Sequence, residues 1–94
     1  MKKTTFYTLH RSGAVEKNGY TDGTYNYYYY SDRKTWHAIH PRVGLSVANA
    51  ATRKLCAEIA HERREAVAAM EARDGEKLAR KFENAIQAAR EVAQ

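Results

Sequence analysis

Histidines, one cysteine and a run of tyrosines are the side chains of this sequence equipped to do chemistry. His37-x-x-His40 has the spacing of a metal pair, with Cys56 or His10 as a third ligand. In a regular strand, however, residues three apart leave on opposite faces. Structural zinc also prefers two or more thiolates, and the chain has one cysteine. His37, His40 and Cys56 therefore read as two strand-surface imidazoles and a small buried hydrophobe, and no metal is expected. Cys56 and His61 lie on a helical pattern, where five positions turn the side chain by about 140°, so they cannot form a thiolate–imidazole pair. There is no G-x-S-x-G elbow, P-loop, G-x-G-x-x-G or H-E-x-x-H. These absences predict a protein that is not an enzyme and carries no cofactor.

The tyrosines make the stronger signal. Thr24-Tyr25-Asn26-Tyr27-Tyr28-Tyr29-Tyr30 contains four consecutive tyrosines. They cannot all point inward from a strand, because successive side chains alternate between faces. Asn26, Tyr28, Tyr30, Thr35 and His37 are expected on an outer face flanked by Arg33, Lys34 and Arg42. Tyr25, Tyr27, Tyr29, Trp36 and Ala38 are expected to face the core. Tyrosine presents a rigid ring with a polar tip and is enriched at binding hot spots. Bases stacked on such rings gain roughly 1–3 kcal/mol each, with Lys and Arg supplying phosphate contacts. The plainer reading is that the tyrosines only bridge a thin core to water.

What positions these residues follows from length and pattern. Ninety-four residues make one domain, expected to span 1–94 with a sheet half at 1–48 and a helical half at 49–94. Nine of the ten aromatics lie at or before Trp36. Thr4 to Arg11 alternates like a strand, and Ser12 to Gly23 reads as a loop because Asn18-Gly19 and Asp22-Gly23 are turn pairs, with a short pairing near Tyr20. Thr24–Ser31 and Thr35–His40 then form a hairpin, ended at Pro41, and Leu45–Val47 a short fourth strand. Asn49 is the expected cap of a helix whose stripe runs through Leu55, Ile59, Val67 and Met70. Asp74-Gly75 interrupts it, and a second stripe follows at Leu78, Phe82, Ile86 and Ala89. The fold class is therefore α+β: a three- to four-stranded antiparallel sheet packed on a C-terminal helical hairpin, or on one long helix. A helix unbroken at Gly75 keeps its stripe in phase and points to a homodimer through the C-terminal helices, because its distal end would otherwise stay wet.

The net charge of +5 is uneven. Residues 1–48 hold seven Lys/Arg against three acids, whereas residues 49–94 hold nine against eight. The excess beside the aromatics predicts an anionic partner. The single cysteine fits a reducing cytoplasm, and Thr4, Thr5, Thr8 and His10 follow Met1-Lys2-Lys3 where a signal peptide needs an apolar run. No stretch reaches the roughly 20 apolar residues of a membrane span. The β-β-β-helix order, with a basic aromatic sheet and Ala51-Thr52-Arg53-Lys54 at the helix start, resembles the three-stranded DNA-binding domains of phage-type integrases over about residues 20–62. That resemblance implies a sheet face laid in a DNA major groove. The basic residues are scattered, with no Arg-rich run, which favours a protein ligand. The expected function is binding to an acidic protein surface or a nucleoprotein complex, as by a phage or mobile-element inhibitor or adaptor, for instance one acting against host defence. The alternative is direct binding of DNA, RNA or a nucleotide by the sheet.

Overall fold

Tyrosine, threonine and valine recur through the first fifty positions, and the computed structural model, which describes residues 1–93, builds five strands there. They are β1 (Lys2–His10), β2 (Gly13–Thr21), β3 (Asn26–Tyr30), β4 (Thr35–Ile39) and β5 (Ser46–Ala50). Each pairs antiparallel with its neighbour in sequence, in the order β1-β2-β3-β4-β5. The α+β class holds, with one strand more than the sequence suggests. The extra strand is β2, which occupies the segment expected to be a loop and pairs with β1 from Lys2↔Thr21 to His10↔Gly13. Asn18-Gly19 misleads because it lies within this strand and not at a turn. Gly19 is there for close approach: a Cβ at that position would collide with the Tyr27 carbonyl oxygen.

The sheet does not lie flat. Near the end of β1 the Leu9 N–H donates to the Gly44 carbonyl at 2.9 Å, and the buried Thr8 hydroxyl donates to the same oxygen at 3.1 Å. Gly44 lies in the β4–β5 connection, so β1 is curled round towards the opposite edge of the sheet.

Two helices follow, α1 (Arg53–Glu62) and α2 (Arg64–Ala93). Asn49 is not the cap, because β5 runs on to Ala50; Thr52 caps α1, its hydroxyl accepting the Leu55 N–H at 3.2 Å. The chain bends at Arg63 and not at Asp74-Gly75, so the expected helical hairpin with its turn there does not form. Gly75 is buried within α2 beneath Arg42, whose guanidinium would stand 2.9 Å from a Cβ placed there. The 30 residues of α2 reach about 45 Å at the usual helical rise. The distal stripe is covered in part within the chain: Ala79 and Phe82 are buried, and Arg90 lies over the Tyr7 ring at 5.7 Å. Ile86 and Ala89 stay half-buried and Val92 is exposed.

The main core joins the sheet to α1. Tyr25, Tyr27, Ala38, Ala48, Cys56 and Ala60 are buried together, with Trp36 and Ile59 packed against them. The small residues on both sides let α1 sit close to the strands, and the Tyr27 ring fills the remaining space. No helix among the described residues is long and apolar enough to cross a membrane.

Candidate binding surface at the β3–β4 hairpin

Strand register sets the two faces. Tyr27 pairs with Ala38 and Tyr29 with Trp36, while Tyr28 pairs with His37 and Tyr30 with Thr35. Directly opposed residues share a face, so the alternation expected from sequence is the one adopted. Exposure, however, does not follow it. Tyr28, expected outside, is 6% exposed, and Tyr29, expected inside, is 48% exposed. The curl of the sheet brings Phe6 to 6.2 Å from the Tyr28 ring and the Lys17 ammonium to 5.0 Å, with His37 stacked on it at 5.5 Å and 18°. Burial raises the Tyr28 hydroxyl pKa. Tyr27, on the same strand and face, is fully buried, whereas Tyr29 sits one residue from the turn end of β3, away from the core cluster.

Beside Tyr28, the residues Tyr30, Arg33, Thr35, His37 and Asn49 line a depression of about 430 Å³. His37 is its fixed point. Its Nδ1 lies 3.2 Å from the Ser46 hydroxyl and its Nε2 3.3 Å from that of Thr35, and the Tyr30 ring stands edge-on at 6.0 Å. The Ser46 hydroxyl donates to the Ala48 carbonyl at 3.2 Å, so it accepts from Nδ1–H, and Nε2 accepts from Thr35. Burial, with nearby His10, holds the His37 pKa below the ordinary imidazole value, leaving the ring neutral at pH 7. His10 itself has a buried Nε2 with no hydrogen-bond partner.

Arg33 and Lys34 form the exposed tip of the hairpin, closed by Arg33 N–H to the Tyr30 carbonyl and Lys34 N–H to that of Ser31, both at 3.3 Å. Lys34 has φ of 53°, the left-handed conformation that closes such a turn. Among the described residues neither cation has a carboxylate within ion-pair distance. The structure thus gathers Tyr30, Arg33 and His37, with Lys34 adjoining. Asn26 is separated from them, half-buried at the start of β3 and paired with Thr21 and Ile39. Arg42 is carried off to α2, over Gly75. Tyr28 is buried and does not line the depression.

The other face of the same hairpin holds a group that the sequence reading did not assemble. The Arg53 guanidinium lies over the Tyr20 ring at 4.1 Å and the Trp36 ring at 5.7 Å, and Tyr29 adjoins Trp36 at 5.7 Å. Local pattern puts Tyr20 within the Ser12–Gly23 segment and Arg53 at a helix start, and their meeting depends on β2 being a full strand.

Asp22 is a second omission. Its Oδ1 accepts the Thr24 and Tyr25 N–H groups at 2.9 Å each, and its Oδ2 accepts the Tyr27 hydroxyl at 2.6 Å and meets His61 Nε2 at 2.8 Å. Burial pushes its pKa up, but these hydrogen bonds together prevail and hold the carboxyl well below the usual carboxylate range. The Tyr25 ring stands edge-on to both His61 and His40, and His40 Nε2 pairs with Glu71 on α2. The Arg42 N–H donates to His40 Nδ1 at 3.2 Å, so the ring proton is on the nitrogen facing Glu71. This network ties both helices to the sheet. It also separates the three metal candidates: His40 is paired with Glu71, and His37 points to the face opposite the one that covers Cys56. Cys56 Sγ–H faces the Trp36 and Ala48 carbonyls at 3.5 and 3.7 Å, and burial pushes the thiol up to about 11. Among the described residues no three His, Cys, Asp or Glu side chains converge.

No protein family, curated protein or solved structure matches the chain. The resemblance to integrase DNA-binding domains stays one of order and composition, and the full β2 strand departs from their three-stranded sheet.

Proposed function

We propose that the protein is a non-enzymatic binding module whose β3–β4 hairpin end grips an acidic protein surface, presented alone or within a nucleoprotein complex. The observation that carries this is the depression of Tyr30, Arg33, Thr35, His37 and Asn49, set beside two cations that have no carboxylate partner among the described residues. A neutral imidazole, a tyrosine and an asparagine offer hydrogen bonds without paying for a buried charge, and Arg33 and Lys34 steer an anionic surface towards them. Tyr30 is held against His37, so its ring loses little freedom on binding. On this reading the protein acts as a small inhibitor or adaptor, of the phage or mobile-element accessory type.

The test is affinity capture from host lysate, with and without nuclease, comparing the native chain with the pair Tyr30→Ala and Arg33→Glu. A protein held by the native chain, alone or with the members of its complex, kept after nuclease and lost with the double variant, is the expected result. Capture unchanged by the double variant, or abolished by nuclease, would remove this reading.

A further inference from the structure

The opposite face of the hairpin carries a different surface. Lys3 pairs with Tyr20 in register and so shares its face, next to the stacked Arg53, Trp36 and Tyr29. Lys54 follows Arg53 at the start of α1 and is exposed. Arg53 thus lies over the rings, Lys3 shares their face and exposed Lys54 follows Arg53 in the helix; among the described residues none of these cations has a carboxylate within ion-pair distance. Trp36 also packs against the core, and Tyr29 is the open ring of the three. Tyr29 is 48% exposed, and Tyr20 and Trp36 are partly so. Arg53 spends its guanidinium on ring faces, which holds it in place while leaving its edge free to donate.

We infer that this surface binds single-stranded nucleic acid, with a base stacking at Tyr29 beside Trp36 and the phosphates meeting Arg53, Lys3 and Lys54. An open π-face beside unpaired cations suits an unstacked base and its phosphate, whatever the sequence. A duplex hides its base faces and would engage only the cations. An acidic peptide would likewise use the cations and leave the exposed ring without a stacking partner. The inference does not rest on the acidic-surface reading, which concerns Tyr30 and His37 on the other side of the sheet.

Trp36 is the only tryptophan, so its emission reports on this surface directly. The full chain is titrated with oligo-dT at low salt, and with polyglutamate and a blunt duplex in parallel. Oligo-dT should quench Trp36 to saturation, with a log–log salt slope of about −0.7 per phosphate contacted. Tyr29→Ala should weaken binding by roughly five- to a hundred-fold, the loss of one stacked base. Arg53→Gln should flatten the salt slope, and Tyr30→Ala should change neither. Far-UV circular dichroism confirms that each variant is folded. Absence of quenching, indifference to Tyr29→Ala, or polyglutamate or duplex binding as tightly as oligo-dT would overturn the inference.

Discussion

Within the tyrosine run, Tyr28 and Tyr29 are neighbours in sequence with opposite surroundings, and their replacement by alanine tests the curl of the sheet. Tyr28 is 6% exposed, in contact with Phe6, with His37 stacked on it and Lys17 over its ring. Removing a buried ring of this size costs about 3–5 kcal/mol. For a domain of this length each kcal/mol lowers Tm by about 4–8 °C, so Tyr28→Ala should lose more than about 12 °C. That is a large share of the 5–15 kcal/mol a small domain usually has, so Tyr28→Leu, which keeps much of the volume, serves as the milder companion. Tyr29 is 48% exposed and touches chiefly Trp36. Its truncation should cost about 1 kcal/mol or less, a value suited to a half-open aromatic pair. Urea denaturation followed by Trp36 emission and by far-UV circular dichroism gives both numbers. If Tyr29→Ala proved the costlier change, β1 and β2 could not be folded over Tyr28, and the description of the depression beside it would fail too.

Two further outcomes follow from the hydrogen bonds and contacts of β2 and its turn. Asp22→Asn keeps an acceptor for the backbone N–H groups but weakens the charged bond from the Tyr27 hydroxyl, and should cost about 1.5–3 kcal/mol by urea denaturation. Because the Asp22 pKa is lowered by folding, its contribution is complete above the unfolded value near pH 4 and is lost as pH falls through the lower native value. The native chain should therefore lose stability more steeply below about pH 4 than the Asn variant, and parallel acid curves would contradict this. Gly19→Ala should destabilise by about 1–3 kcal/mol, since its Cβ meets the Tyr27 carbonyl; a neutral result by thermal melting would refute the close approach.

The parity of the sheet faces was legible because it needs only alternation: once Tyr27 and Trp36 are strand residues in a hairpin, their faces are set. Cover was not legible, because it depends on how far the sheet curls, and the contact that shows the curl joins Thr8 and Leu9 to Gly44, some 35 residues away. The same long-range contacts explain β2. Asn18-Gly19 has the local chemistry of a turn, and only the approach of Tyr27 from the next strand gives Gly19 another purpose. In the helical half, the stripe running in phase through Met70, Asp74 and Leu78 was the better guide, and the glycine within it the poorer one. A glycine mid-helix costs about 1 kcal/mol against alanine, a cost small enough for α2 to run through Gly75 unbroken. Three of the residues chosen for the outer face, Tyr30, Arg33 and His37, meet because they are close in sequence across one hairpin. Arg42, beyond Pro41, is outside that hairpin, and its position is set by α2. The stacked group of Tyr20, Trp36 and Arg53 spans three elements, so no local pattern announces it, and only the folded sheet brings the guanidinium onto the rings.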